Sequence, residues 1–356
     1  MIRLADDRVN ASTDHLPFMQ RALDLARAQL GRTWPNPSVG AVIVNEGRII
    51  AEAVTARSGR PHAEPQVLAK AGEKARGATL YLSLEPCAHY GKTPPCTDAI
   101  ITAGIAHVVI ACRDPAPYVS GKGIEQLKAA GIHITEGICA AQARDINRGF
   151  FSVMEKGRPY IALKIATSAD GKIAYEKERR GKKDIRWITG EAARYHAHIL
   201  RSQYDAILTG IETVLADDPM LNVRIPGLED RSPVRIILDR HHRLPEESKI
   251  ARSRLSQQTW VLSSRTMEAT LKTLAEKGIT RVLVEAGKTL NTAFLQSGVV
   301  DRVYWFKAPF TIGEEGLDAA EGGLSLLAGW HAIEHSDFSP DTLDVLEPCL
   351  PASSPA

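Results

Sequence analysis

The chain has 356 residues, with 44 Lys and Arg against 42 Asp and Glu, and a hydrophobic share of 44%. That length predicts two cores rather than one. The near balance of charge excludes a basic stripe for a nucleic-acid backbone, and no apolar run is long enough to span a membrane.

In chain order, residues 1–14 are polar and read as a loose tail without an apolar signal core, so a cytoplasmic protein is expected. Residues 17–30 read as a helix. Met19, Leu23, Ala26 and Leu30 recur at helical spacing, Pro17 suits the first turn and Gly31 stops it. Trp34-Pro35-Asn36-Pro37 is a rigid loop. Residues 39–44 and 48–54 read as strands around the turn Asn45-Glu46-Gly47. His62-Ala63-Glu64 opens a second helix, and Pro65 fits only near its start. Residues 79–84 form a strand that delivers Glu85-Pro86-Cys87. Helices are expected over 98–103, 123–130 and 140–156, and strands over 107–111 and 132–135. The alternation predicts a three-layer α/β domain, helices over a mixed sheet, in residues 1–156.

Lys156-Gly157-Arg158-Pro159 breaks the last helix and marks the boundary, so the second domain is 157–356. Its apolar strands are expected at 160–166, 205–209, 234–238, 260–263, 282–285 and 303–306. Helices are expected through Arg201, at 267–277 and at 289–296. Residues 176–183 read as a charged mobile loop and 348–356 as a disordered tail. This half is a second α/β domain. No Gly-x-Gly-x-x-Gly fingerprint follows its first strand, so a Rossmann site is not supported. Glu285-Ala286-Gly287-Lys288-Thr289 runs from a strand to a helix start, where exposed amides suit a phosphate.

The chemistry centres on residues 61–96. His62, Cys87 and Cys96 offer an imidazole and two thiolates, which hold three tetrahedral positions of a catalytic zinc and leave the fourth to water. Zinc lowers the pKa of a bound water from about 16 toward neutral. Glu64, two residues from His62, is placed to move protons without being a ligand. The pattern His-x-Glu followed by Pro-Cys and a second Cys is that of zinc deaminases. Here the second cysteine comes nine residues after the first. The loop between them is pinned at both ends, so His89 and Lys92 are expected near the metal, with Lys92 as a point charge for a phosphate. Cys112, Cys139 and Cys349 read as reduced thiols.

These residues carry a family resemblance. Trp34-Pro35-Asn36-Pro37-Ser38-Val39-Gly40, His62-Ala63-Glu64, the run from Glu85-Pro86-Cys87 through Pro94-Pro95-Cys96, and Asp114-Pro115 resemble the bifunctional deaminase/reductases of riboflavin biosynthesis (the RibD type). Lys164-Ile165-Ala166-Thr167-Ser168-Ala169-Asp170-Gly171, Trp187-Ile188-Thr189, Thr213-Val214-Leu215-Ala216-Asp217-Asp218-Pro219 and Val284-Glu285-Ala286-Gly287 continue it. The resemblance implies a cytidine-deaminase-like domain followed by a dihydrofolate-reductase-like α/β domain. It implies deamination of 2,5-diamino-6-ribosylamino-pyrimidinone 5′-phosphate at the 2-amino group, then NADPH-dependent reduction of its ribose. By position, Asn36, His89, Lys92 and Asp114 would contact the nucleotide in the first half. In the second, Ala166, Trp187, Thr213, Asp217 and the 287–293 loop, with Gly287, Lys288 and Thr289, would touch cofactor. Arg201, Leu221, Arg224 and Glu285 would touch substrate, and the two arginine forks suit a ribose 5′-phosphate. The chain departs from the family pattern at Thr55, Pro65, Ala116, Ile185, Arg240 and Lys288. The added cations Arg240 and Lys288 suit the 2′-phosphate of NADP.

The expected protein is thus a two-step enzyme acting on a small-molecule nucleotide, with zinc and NADPH as cofactors and neither nucleic acid nor membrane as partner. A homo-oligomer, dimer or tetramer, is the expected assembly. Two alternatives remain at this level: a nucleic-acid base deaminase with an accessory domain, and a deaminase whose second domain only binds nucleotide.

Overall fold

The computed structural model describes residues 7–175, 187–254 and 257–349. It divides into two compact units, Met1–Arg158 and Pro159–Ala356.

In the first unit, among the described residues, five strands form one sheet. They are β1 (Gly40–Asn45), β2 (Arg48–Val54), β3 (Thr79–Leu82), β4 (His107–Ile110) and β5 (His133–Glu136), in the order β2-β1-β3-β4-β5. β1 is antiparallel to β2 and β3, while β3, β4 and β5 run parallel. Strand alternation sorts the side chains to two faces. Ile43, Leu80, Leu82, Val108 and Ile110 pack with Val67, Ile100 and Leu127. These come from α2 (Ala63–Ala71), α3 (Cys96–Thr102) and α4 (Lys122–Ala129). Val42, Val44, Tyr81 and Val109 pack on the other face with Met19, Leu23, Ala143 and Ile146, from α1 (Asp7–Ala28) and α5 (Ala140–Ile146). This is the expected three-layer α/β arrangement. The α1 backbone comes so close to β1 that a Cβ on Gly40 would lie 1.8 Å from the Ala22 carbonyl oxygen, so only glycine fits there.

Two expectations are corrected. α1 begins at Asp7, so Pro17 lies inside the helix and residues 7–14 are not a loose tail. The helix expected over 140–156 is two, α5 and α6 (Arg148–Lys156), broken at Asn147. Asn147 Oδ1 accepts from the Ser38 amide at 2.8 Å, and its Nδ2 donates to the Ser38 carbonyl at 3.0 Å. That two-way bond holds the residue out of helical geometry.

The second unit is built on an eight-stranded sheet, counted among the described residues. Its strands are β6 (Tyr160–Thr167), β8 (Ala206–Gly210), β9 (Val234–Leu238), β10 (Thr259–Leu262), β11 (Arg281–Val284), β12 (Arg302–Lys307), β14 (Trp330–Phe338) and β15 (Asp341–Pro348). Their order is β10-β9-β8-β11-β6-β12-β15-β14. The first six are parallel, and the β15–β14 hairpin closes the edge antiparallel. β7 (Lys172–Tyr175) and β13 (Gly316–Asp318) pair separately. α7 (Glu191–Ser202) lays Ala193, Ala197 and Leu200 on Leu283, Phe306 and Val345.

Sequence periodicity did not reveal β13, β14 or β15, and Pro348 belongs to β15 rather than to a disordered tail. The loop expected at 176–183, the departure at Ile185 and residues 350–356 lie outside the described residues. No helix among the described residues is long and apolar enough to cross a membrane.

Sheet order also locates a ligand crevice. β8, β9 and β10 succeed one another in one direction, and β11 then returns to the opposite side of β8. In open α/β sheets ligands bind beyond the carboxyl ends of the strands at such a switch. The switch here lies between β8 and β11, whose exits lead to α8 (Ile211–Asp217) and α11 (Lys288–Gln296).

Candidate active sites

In the first unit the fold brings three ligands together. His62 is the N-cap of α2, and Cys96 is the first residue of α3. Cys87 follows β3, held by the Cys96 amide donating to its sulfur at 3.4 Å and the Thr97 amide donating to its carbonyl at 3.2 Å. His62 Nδ1 lies 3.3 Å from Cys96 Sγ and 3.9 Å from Cys87 Sγ. All three ligand atoms lie within 4.8 Å of one another. Zinc bonds of 2.0–2.1 Å to nitrogen and 2.3 Å to sulfur, at the tetrahedral angle, require an N···S separation of about 3.6 Å. The donor set therefore fits zinc in both kind and spacing. A hydrogen bond from Cys96, with the His62 imidazole beside it, holds the Cys87 thiol down at about 4. Bonding to that thiolate, then burial, push Cys96 up.

Glu64, the second residue of α2, is 3% exposed, and its Oε2 has no hydrogen-bond partner. Burial pushes its carboxyl up against the pull of His62. A buried carboxylate oxygen without a partner is costly and calls for a ligand or a proton.

Asn36 donates to the Gly59 carbonyl at 2.9 Å and lies 3.3 Å from His62 Nε2. It stands behind the imidazole, against the nitrogen that faces away from the thiols. Gly59 has φ +81°, and a Cβ there would come within 2.6 Å of the Asn36 Cβ. Asp114 is buried and accepts from the Ala116 amide at 2.8 Å. Burial, with Glu85 and Cys87 nearby, pushes its carboxyl up to about 6 despite that bond. His89 and Lys92 are exposed on the cysteine loop. The His89 ring meets Tyr118 edge to face at 5.1 Å.

Sequence reasoning assigned no role to Glu85. Its carboxylate accepts from the amides of Asp114 (3.2 Å), Gly121 (3.1 Å) and Gly123 (3.1 Å). It thus ties the strand end before Cys87 to the start of α4. Gly121 and Gly123 around a helix start were the available signal, since such a run exposes successive amides to an anion.

In the second unit a cavity of about 1600 Å³ lies at the switch point. That exceeds the 300–1,000 Å³ of a pocket for one small ligand. Every expected residue lines it: Ala166, Trp187, Thr213, Asp217, Gly287, Lys288 and Thr289, together with Arg201, Leu221, Arg224 and Glu285. Residues 287–293 are not a loop, because α11 begins at Lys288. Its N-cap Gly287 is extended and offers no side-chain cap. The first amides of α11 therefore need an outside acceptor, which a cofactor phosphate supplies. Cavity size and these amides fit a dinucleotide.

The two cavity arginines differ in their partners. Arg201 is paired with Glu285: Nε donates to Oε1 at 2.7 Å and Nη2 to Oε2 at 2.9 Å. Its Nη1 donates to the Asn222 carbonyl at 3.1 Å. Among the described residues Arg224 makes one side-chain hydrogen bond, Nη1 donating to Asn222 Oδ1 at 3.0 Å.

Two lining residues carried no assignment. Lys164, in the middle of β6, is half-buried in the cavity wall. Burial lowers its ammonium pKa while Glu285 raises it. His198, one turn before Arg201, is pushed down to about 4 by burial and by Arg201 and Arg224. A lysine in an otherwise apolar strand was the sequence signal for the first. The spacing of His198 from Arg201 was the signal for the second.

Comparisons with known proteins agree on both halves. The family model "Cytidine and deoxycytidylate deaminase zinc-binding region" matches residues 12–112, and "RibD C-terminal domain" matches 159–343. The riboflavin biosynthesis protein RibD of Aquifex aeolicus is 43% identical over 327 residues, covering 86% of this chain and 90% of its own. That of Escherichia coli is 40% identical, covering 84% and 88%. Among solved structures, RibD of Acinetobacter baumannii aligns with a TM-score of 0.86 at 38% identity, over 95% of this chain and 99% of that one. The diaminohydroxyphosphoribosylaminopyrimidine deaminase/5-amino-6-(5-phosphoribosylamino)uracil reductase of Thermotoga maritima also aligns with a TM-score of 0.86 at 38% identity, over 95% and 100%.

Proposed function

The chain belongs to the RibD family of bifunctional deaminase/reductases of riboflavin biosynthesis, and from that membership we propose how its residues divide the two reactions. The first unit deaminates 2,5-diamino-6-ribosylamino-pyrimidinone 5′-phosphate at the 2-amino group. The second reduces the ribose of the product to the ribityl chain.

His62, Cys87 and Cys96 hold the zinc, which when bound makes water a nucleophile at neutral pH. Glu64 moves the protons. Its free Oε2 takes one from the attacking water and returns it to the departing ammonia. Asn36, held beside the metal site by its bond to the Gly59 carbonyl, contacts the nucleotide. His89, Lys92 and Asp114 surround the entrance for the nucleotide.

In the second unit NADPH supplies the hydride. Ala166, Trp187, Thr213, Asp217 and the start of α11 position the cofactor. Lys164 and Glu285 present opposite charges to the sugar, and Leu221 packs against the base. Arg224 holds the 5′-phosphate, while Arg201 keeps Glu285 ionised and oriented. Burial would raise the Glu285 carboxyl, but Arg201 and Lys164 hold it at about 2. Catalysis here rests on positioning and fixed charge.

We place the domain boundary at 156/157. We also propose a cytoplasmic homo-oligomer, a dimer or tetramer. All five cysteines are free, which suits a reducing compartment.

The observation that carries this reading is the convergence of His62, Cys87 and Cys96 beside the unpartnered carboxylate of Glu64. The test is incubation of purified protein with the diamino nucleotide, with and without NADPH, followed by mass spectrometry. Exchange of the amino group for oxygen is expected in both, and gain of two hydrogens only with NADPH. An unchanged nucleotide in both would refute the reading.

A further inference from the structure

The cavity is long enough along the sheet to separate the two ends of a dinucleotide. The ion cluster of Lys164, Arg201 and Glu285 lies at the β6–β11 end. In the order β10-β9-β8-β11-β6, the exit of β9 stands three strands away from β6. At 4.7–4.9 Å per strand that is about 14 Å. The uncapped start of α11, with Lys288, lies between these ends at the exit of β11. A cofactor whose reacting ring is at β6 and whose pyrophosphate meets α11 carries its adenosine toward β9 and β10.

The permanent cations lining that end, among the described residues, are Arg240, Arg243 and Lys249. Arg243 is ion-paired with Glu212, and Lys249 Nζ lies 3.4 Å from Asp218 Oδ2. Arg240 differs. Its Nε donates to the Ser264 carbonyl at 3.3 Å and its Nη2 to the Arg265 carbonyl at 2.6 Å. Neutral carbonyls orient the guanidinium without cancelling its charge. The adjacent acid, Asp239, is buried and accepts from the amides of His241 and Leu244, turned away from Arg240. The guanidinium is thus held by its back and left positive, with Nη1 available.

We propose that Arg240 selects NADPH over NADH by binding the adenosine 2′-phosphate, while Lys288 and the α11 amides bind the pyrophosphate common to both. This rests on the reading of the second unit as an NADPH reductase. An oriented, uncompensated guanidinium on the ribose side is what a 2′-phosphate requires.

The test is equilibrium binding to the full chain, by calorimetry, of NADP⁺, NAD⁺, 2′,5′-ADP and 5′-AMP. Arg240→Gln is expected to weaken NADP⁺ and 2′,5′-ADP about tenfold or more. It should leave NAD⁺ and 5′-AMP within about twofold. Arg240→Lys should recover part of the loss, and Lys288→Ala should weaken NADP⁺ and NAD⁺ alike. Thermal melts of each variant separate these effects from unfolding. Equal loss of NAD⁺ and NADP⁺ in folded Arg240→Gln, or no loss of either, would overturn the assignment and leave the reductase reading intact. A wild-type protein that binds neither dinucleotide would overturn both.

Discussion

Arg201 and Glu285 meet through two parallel hydrogen bonds, 2.7 and 2.9 Å long, although 84 residues separate them in the chain. Both side chains are largely enclosed, at 14% and 12% exposure. Removing one partner leaves the other charge buried, which costs about 3–5 kcal/mol. Glu285→Gln should therefore lower the stability of the second unit by several kcal/mol, read by denaturant unfolding. The wild-type pair also predicts a pH dependence. Glu285 titrates at about 2 when folded, against 4.5 ordinarily. Its contribution is fully present above pH 4.5 and is lost as pH falls toward 2. In Glu285→Gln that acid-side slope should disappear.

The metal site predicts a different pattern. Cys87→Ser should lose zinc and deamination together, since two ligands do not hold the ion. Cys112→Ser should keep both. Burial pushes the Cys112 thiol up to about 12, and it stands outside the ligand group. Zinc content by atomic emission checks this, and full occupancy in Cys87→Ser would sink the ligand assignment.

Glu64→Gln should retain zinc and lose deamination by at least about a hundredfold, the usual worth of a positioned acid or base. Reduction of supplied deaminated nucleotide should continue, since that chemistry uses residues of the other unit. Normal deamination by this variant would remove Glu64 from the mechanism.

Much of this was legible in the sequence, and the misses have two causes, distant partners and exposed strands. His62, Glu64, Cys87 and Cys96 were readable because their spacing and kinds are constrained by one ion. The strands of the first sheet were readable because Val42, Val44, Ile43, Leu80 and Leu82 alternate between two apolar faces. The break at Asn147 was not, because its partner Ser38 is 109 residues away. The pairing of Arg201 with Glu285 was hidden for the same reason, its carboxylate lying 84 residues on. β14 escaped because it is largely exposed and shows no apolar alternation. Local pattern thus reported which groups were present, and tertiary pairing decided which of them remained free.

A histidine group on the first sheet gives a pH prediction. The His107 ring lies 5.3 Å from His15 on α1 and 4.4 Å from His133 on β5, and His107 Nε2 is 2.9 Å from Thr135 Oγ1. Tyr81 on β3 is bonded to His15 at 2.9 Å. Burial, then His133 and His15, push His107 from 6.5 down to about 4. Below pH 6.5 the unfolded chain takes up a proton that the folded chain refuses. Stability of the first unit should fall between pH 6.5 and 4 and level off below. His107→Gln should flatten that slope in melts recorded across this range. An unchanged slope would locate the effect elsewhere.

The last prediction follows from the asymmetry of the two cavity arginines. Arg201 has its fork on Glu285 and its remaining amine on the Asn222 carbonyl. Among the described residues Arg224 bonds only the neutral side chain of Asn222, so its charge stays available to a phosphate. A charge-assisted pair is worth roughly 1.5–3 kcal/mol, and each 1.4 kcal/mol is a decade in affinity. Arg224→Ala should therefore raise KM for the deaminated nucleotide about tenfold or more, with kcat and NADPH affinity little changed. Arg201→Ala should act differently. It frees Glu285 in a buried site, so kcat and stability should fall together. Steady-state kinetics with separate titration of each ligand distinguishes the two. If Arg224→Ala weakens NADPH and leaves KM for the nucleotide unchanged, the phosphate lies elsewhere in the cavity.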